Sequence, residues 1–270
     1  MRVLAIGDVV GNPGRAAVHG LLPGIVKKHE VDFVVCNGEN IAGGSGITPN
    51  LFHKLRRYGC DVVTLGDHCY KRFEIADTLR ESERLLRPAN LSPDGPGRRY
   101  TIVKSAGGVR VAVFTLLGRI FMNQLPPNDP FAEADAILRD IGKGADVIVA
   151  EVHCEASSEK IALGWHLDGR AHFVFGTHTH TPTADARLLH HGTAFISDLG
   201  MTGPYDGVLG RKTDAVVATM RTNTPHPFHV ATKDVRLCGA LATIEDGKAT
   251  AIERIEVPLV GEVANDPGDG

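Results

Sequence analysis

The chain lacks the cysteine spacings that would make thiols structural. Its five cysteines (Cys36, Cys60, Cys69, Cys154, Cys238) are odd in number and include no CxxC pair. That argues against a disulfide framework and reads as reduced thiols in a reducing compartment. No apolar run is long enough to span a bilayer, and the opening MRVLAIGDVVG turns polar too early for a signal peptide. A dominant sign of charge is missing too. With 29 basic and 32 acidic residues the net charge is −3, which gives no electrostatic basis for non-specific binding to nucleic acid or acidic membranes. There is no low-complexity linker and no internal repeat. The expectation is a cytoplasmic protein of one domain, residues 1–262, with a short polar tail at 263–270. The oligomeric state is left open, a homo-oligomer included.

What is present is a 43% apolar content, ample for a sizeable core, and thirteen histidines. Over the first two-thirds, short apolar runs alternate with helical patterns, which predicts an α/β layered fold. Strands are expected at 2–7, 32–37, 61–66, 145–153 and 171–176, and a strand pair with a Gly-Gly turn at 98–118. Helices are expected from near Pro13 to about His29, and at 49–58, 73–82, 130–141 and 157–166. Thr48 reads as an N-cap with Pro49 in the first helical position. After Gly192 the texture changes to short β-like runs at 193–198, 229–234, 238–246 and 249–257.

Nearly every strand ends in residues able to bind metal: Asp8, then Glu39-Asn40, Asp67-His68, His153, and His178-Thr-His180. In an open α/β sheet, ligands gather where the strands end. One such residue alone is ordinary turn chemistry or a satisfied structural histidine. The His178–His180 pair is stronger, because alternate residues leaving a strand face the same side. Five strand ends in succession outweigh the ordinary reading. The donors are oxygen and imidazole, which suits manganese, iron or zinc better than an all-oxygen magnesium or calcium site. Seven donors exceed one coordination shell, so two ions sharing a carboxylate is the economical arrangement. Two close metals fit phosphoryl transfer, since they clamp a phosphate and acidify a bridging water.

Other features carry less. GDVVGNPGR does not space its glycines as G-x-G-x-x-G, against a dinucleotide loop. Cys69 and Cys154 read as packing residues. Ser157–Lys160 reads as the capped start of a helix, with Glu159 in its first turn. Residues 201–204 are a candidate wall of the pocket.

The series GDVVG, NGEN, GDH, His153 behind a strand, and GTHTH resembles the calcineurin-like metallophosphoesterases. The spelling of GENIAGGSGIT, SEK, LDGR, GTHTHTPTADAR and DLGMTGPYDGVLG is similar to the bacterial YmdB-type branch, from residue 2 to about 215. The resemblance implies a four-layer αββα sandwich in a single domain and two first-row ions, iron or manganese before zinc. It also implies hydrolysis of small phosphodiesters, 2′,3′-cyclic nucleotides foremost, by attack of a metal-bridging hydroxide. Carried across, Asp8, Asn40 and His180 would bind one ion, Asp67, His153 and His178 the other, and Glu39 would bridge them. His68 matches the general acid that protonates the leaving oxygen.

Two departures stand out. The superfamily's D-x-H reads Asp8-Val9-Val10, and Asn40 would supply a carbonyl instead. Asp67 stands where the family has Asn. That third carboxylate lowers the formal site charge from about +2 to about +1, implying tighter metal binding and weaker attraction for a phosphodiester. The rivals are a phosphomonoesterase of the same fold and a metal-bearing regulatory or scaffold protein with catalysis blunted by Asp67.

Overall fold

In the computed structural model, which describes residues 1–261, β1 (Arg2–Ile6) packs into two apolar cores at once. Leu4 and Ile6 face one and Val3 and Ala5 the other, as the period of two demands. The chain continues through α1 (Gly11–His29), β2 (Phe33–Asn37), α2 (Pro49–Tyr58), β3 (Val62–Thr64), α3 (Ile75–Glu81) and β4 (Leu85–Leu86). Strands β1 to β4 pair in parallel in that order.

A hairpin of β5 (Tyr100–Lys104) and β6 (Arg110–Leu117) opens the second sheet. Then come α4 (Pro130–Ile141), β7 (Val147–His153), α5 (Ser157–Leu167), β8 (Phe173–Thr177), β9 (Arg187–Leu188) and β10 (Ala194–Ile196). The order in space is β5-β6-β7-β8-β10-β9. The chain closes with β11 (Gly203–Pro204), α6 (Thr213–Thr222), β12 (Val235–Glu245) and β13 (Lys248–Pro258). Here β12 returns antiparallel beside β1 and carries both β11 and β13.

Three apolar cores separate four layers. Helices α1 to α3 cover one face of the first sheet through Leu22, Leu55 and Leu79. Between the sheets, Val3, Phe33 and Val35 meet Val111, Val149 and Phe173. Helices α4 and α5 cover the outer face of the second sheet through Ile137, Leu163 and Leu167. This is the αββα sandwich. Strands buried on both faces explain why VLAI, FVVC and VIVA are continuous apolar runs.

Thr48 caps α2 as expected, its Oγ1 accepting from Leu51 N at 3.3 Å. Other local expectations differ. Ser157 and Ser158 do not cap α5, whose N-cap is Ala156 with no side-chain bond. Residues 229–234 form no strand, only one bridge from Val230 to Arg211. Helix α6 stands among the expected β-like runs. It buries Val216 alone, so it shows no apolar stripe to read. Strand β3 is three residues, shorter than the expected run 61–66. All five cysteines are buried and free. Among the described residues no helix is long and apolar enough to cross a membrane. The expected tail, 263–270, lies outside the described residues.

Candidate metal centre

Asp8 follows β1, Glu39 and Asn40 follow β2, Asp67 and His68 follow β3, His153 ends β7, and His178 and His180 follow β8. The two sheets therefore deliver all eight expected residues from adjacent strand ends. Gly66 shows how tight the convergence is: a Cβ there would lie 2.2 Å from His153 Nε2. Only glycine lets Asp67 enter beside that imidazole.

Glu39, Asp67, His153 and His178 bring ligand atoms within 4.8 Å of one another. His153 Nε2 lies 3.2 Å from Glu39 Oε1 and 3.1 Å from Asp67 Oδ1, and His178 Nδ1 is 3.4 Å from Asp67 Oδ1. At the other end of the cluster, His180 Nε2 lies 3.9 Å from Asp8 Oδ1 and 3.2 Å from Asn40 Nδ2. His178 and His180 do not converge through strand alternation, because β8 stops at Thr177. Both residues have positive φ, 92° and 62°, and these left-handed turns aim them.

The residues fit a cation. Asp8 Oδ1 is buried with no hydrogen-bond partner, while Oδ2 accepts from His178 N at 3.1 Å. His153 Nε2 and His178 Nδ1 face each other at 3.1 Å, an arrangement that needs a proton or a metal between them. Every imidazole also has its far nitrogen fixed by an acceptor. His153 Nδ1 lies 2.8 Å from Thr177 Oγ1, His178 Nε2 is 3.1 Å from Glu155 Oε2, and His180 Nδ1 is 3.3 Å from the Leu209 carbonyl. Outward N–H groups leave the inward lone pairs for a metal.

Asn40 lies between His68, His180 and Glu39. Its Oδ1 lies 2.7 Å from His68 Nδ1, and Nδ2 stands between His180 Nε2 and Glu39 Oε1, the latter at 3.3 Å. A carbonyl donor at that point requires the amide to turn.

Burial raises the Asp8 carboxyl, opposed by His180 and His153. Burial would do the same to Glu39 and Asp67, but the imidazoles around them outweigh it and hold both below the usual carboxylate value. For His153 burial works against the charged form, yet Glu39, Asp67 and Glu151 push its pKa well above the ordinary value. A raised histidine contributes stability that is complete below its unfolded pKa, about 6.5, and is lost as pH climbs through the folded value. The metal-free chain should therefore lose Tm as the pH is raised above about 6.5, roughly 2–4 °C for each kcal/mol withdrawn. The Mn²⁺-loaded chain should not, because metal replaces that proton and binds better as pH rises. Scanning calorimetry on both forms checks this; a flat metal-free curve would contradict it.

The centre opens into a cleft of about 340 Å³ lined by Glu39, Asn40, His68, Glu155, His178 and Arg211, among others. Residues 201–204 do not line it. They brace the strand ends from behind, with Thr202 N donating to the Asp8 carbonyl and Met201 N to that of His180. The wall is Leu209 and Arg211 instead. Arg211 holds the glycine loop through the carbonyls of Gly43 and Gly44.

Several residues escaped sequence reasoning. Glu151 was visible as a charge inside the apolar run VIVAEV. Glu155, Thr177 and Arg211 carried no signal, since their partners lie far off in the chain. Glu159 stands in the first turn of α5 as expected, and its carboxylate also accepts from Arg119 N and Ile120 N. Lys160 reaches Asp198.

A family model described as YmdB-like protein matches residues 4–255. The chain belongs to the YmdB-like family. The 2′,3′-cyclic-nucleotide 2′-phosphodiesterase of Bacillus subtilis (strain 168) is 46% identical to it over 258 residues, 94% of this chain and 96% of that one. Among solved structures, a hypothetical protein from Thermus thermophilus matches at TM-score 0.89 and 40% identity, covering 96% of this chain and 99% of the other. A novel phosphatase from Mycoplasma pneumoniae matches at TM-score 0.89 and 26% identity, covering 96% and 93%. The YmdB-like sandwich of this chain is thus a calcineurin-like phosphatase fold.

Proposed function

We propose that this metal-dependent phosphoesterase is a cytoplasmic phosphodiesterase acting on small diesters, with 2′,3′-cyclic nucleotides as the preferred class. The observation that carries the reading is the carboxylate–imidazole cluster with His68 beside it at the floor of an open cleft. The name of the Bacillus subtilis relative supports the substrate class. Asp8, Asn40 (its amide turned) and His180 would hold one first-row ion, iron or manganese, and Asp67, His153 and His178 a second, with Glu39 between them. The domain would span residues 1–262.

Such ions supply Lewis acidity toward phosphate oxygens and lower the pKa of bound water. The chain's own residues do the rest. His68 is anchored by its backbone N–H on Glu39 Oε2 at 3.0 Å, and with the Asn40 amide turned its Nδ1 would accept from that amide's N–H. That leaves Nε2, 3.4 Å from the Gln124 amide, to carry a proton to the leaving oxygen.

The test is elemental analysis of the purified chain alongside hydrolysis of bis-p-nitrophenyl phosphate, p-nitrophenyl phosphate and 2′,3′-cyclic AMP. The expected result is about two metals per chain and diester turnover that chelation abolishes and Mn²⁺ restores. Preference for the monoester would move the assignment to a phosphomonoesterase. A filled centre with no turnover on any ester would sink the enzymatic reading.

A further inference from the structure

We infer that Glu151 is a positioning residue for the metal centre, acting on His153 through Thr177 and on Glu39 through Asn37. The inference rests on the metal-centre reading above. Glu151 lies within β7, fully buried, two residues before His153. Its Oε1 accepts from Thr177 Oγ1 at 2.5 Å and from Asn37 Nδ2 at 2.6 Å, whereas Oε2 is buried with no partner. A carboxylate satisfied on one oxygen only is costly to bury, and a glutamine or an aliphatic side chain would fill the same volume at lower cost. Its ion-pair partner is His153, with Nδ1 at 3.7 Å. The charge therefore serves the cationic side of the centre rather than the packing of the two sheets.

Two branches leave that one oxygen. In the first, the Thr177 hydroxyl spends its proton on Glu151, so its oxygen accepts from His153 Nδ1–H at 2.8 Å. The imidazole is held in one tautomer and one ring orientation, with the Nε2 lone pair aimed at Glu39 and Asp67. In the second, Asn37 gives its amide N–H to Glu151 and takes the backbone N–H of Glu39 on Oδ1 at 3.1 Å. Strands β2, β7 and β8 are thus tied at the point where each releases a ligand. A simple brace between strands would not need the hydroxyl that relays onto His153. An outer partner that orients a ligand histidine and raises its basicity alters metal affinity 10–100-fold.

The experiment compares the full chain with Glu151→Gln, Thr177→Val and Thr177→Ser. Mn²⁺ half-saturation is read from the paramagnetic resonance of the free ion, and the visible spectrum of the Co²⁺-loaded protein reports coordination. Glu151→Gln and Thr177→Val should weaken Mn²⁺ binding by about 10–100-fold and change the Co²⁺ bands. Thr177→Ser, which keeps the hydroxyl, should restore both. If Glu151→Gln does not fold, the Thr177 pair still decides, because valine and threonine have the same shape. Wild-type affinity in Thr177→Val, or equal loss in Thr177→Ser, overturns the relay. A wild-type chain that takes up no Mn²⁺ overturns the reading beneath it as well.

Discussion

Replacing His68 by alanine is expected to lower kcat on 2′,3′-cyclic AMP by about 10²–10⁴-fold while metal content stays at the wild-type level. The side chain is partly exposed to the cleft, and neither of its nitrogens enters the tight Glu39–Asp67–His153–His178 cluster. Its nearest carboxylate oxygen by Nε2 is Asp67 Oδ2 at 3.8 Å. His68 touches the centre through its backbone N–H on Glu39, which alanine retains, and through Nδ1 on the Asn40 amide, which alanine removes without taking away any group of the tight cluster. The leaving group separates a proton donor from an electrostatic role. A ribose alkoxide needs a proton as it departs, and p-nitrophenolate does not. The variant should therefore lose far more rate on the cyclic nucleotide than on bis-p-nitrophenyl phosphate. Equal losses on both esters would remove the proton-donor role, and loss of metal would make His68 a ligand.

The ligand positions were legible because of how this fold is built. Strands covered on both faces are spelled as unbroken apolar runs, so the first polar residues after each run mark the sheet end where ligands gather. Asp8, Glu39, Asp67 and His153 follow that rule. His178 and His180 follow it only in part. Their approach to opposite ends of the cluster depends on left-handed backbone turns, which no residue pattern around Thr179 announces.

What failed to show in the sequence is mainly long-range polar pairing. The SSEK segment carries every mark of a helix start, yet Glu159 serves a loop about 40 residues away and Lys160 a carboxylate 38 residues away. Local periodicity holds no information about such partners. The pocket wall was misplaced for a similar reason. Met201–Pro204 follows a strand end as the ligands do, but β11 ties it into the first sheet, and the chain reaches the cleft only at Leu209 and Arg211.

Substituting Lys160 by methionine is expected to destabilise the protein by about 3–5 kcal/mol, because it leaves a buried carboxylate without its cation. Lys160 Nζ lies 2.5 Å from Asp198 Oδ2, and both residues are almost wholly buried. Asp198 also accepts from Thr179 N at 3.2 Å, Thr179 Oγ1 at 2.7 Å and Gly200 N at 2.8 Å. Thr179 sits between two histidines in left-handed conformations, each costing about 1–3 kcal/mol unless its surroundings impose it. The pair thus holds the turn that presents His178 and His180. Denaturant titration of the metal-loaded chain measures the loss. Lys160→Met combined with Asp198→Asn should recover much of it, since no lone charge remains and the asparagine carbonyl still accepts from Thr179. A single variant within about 1 kcal/mol of wild type would mean that water or a neighbouring group neutralises Asp198, and the turn would then owe its shape to Asp8 and the Met201 backbone instead.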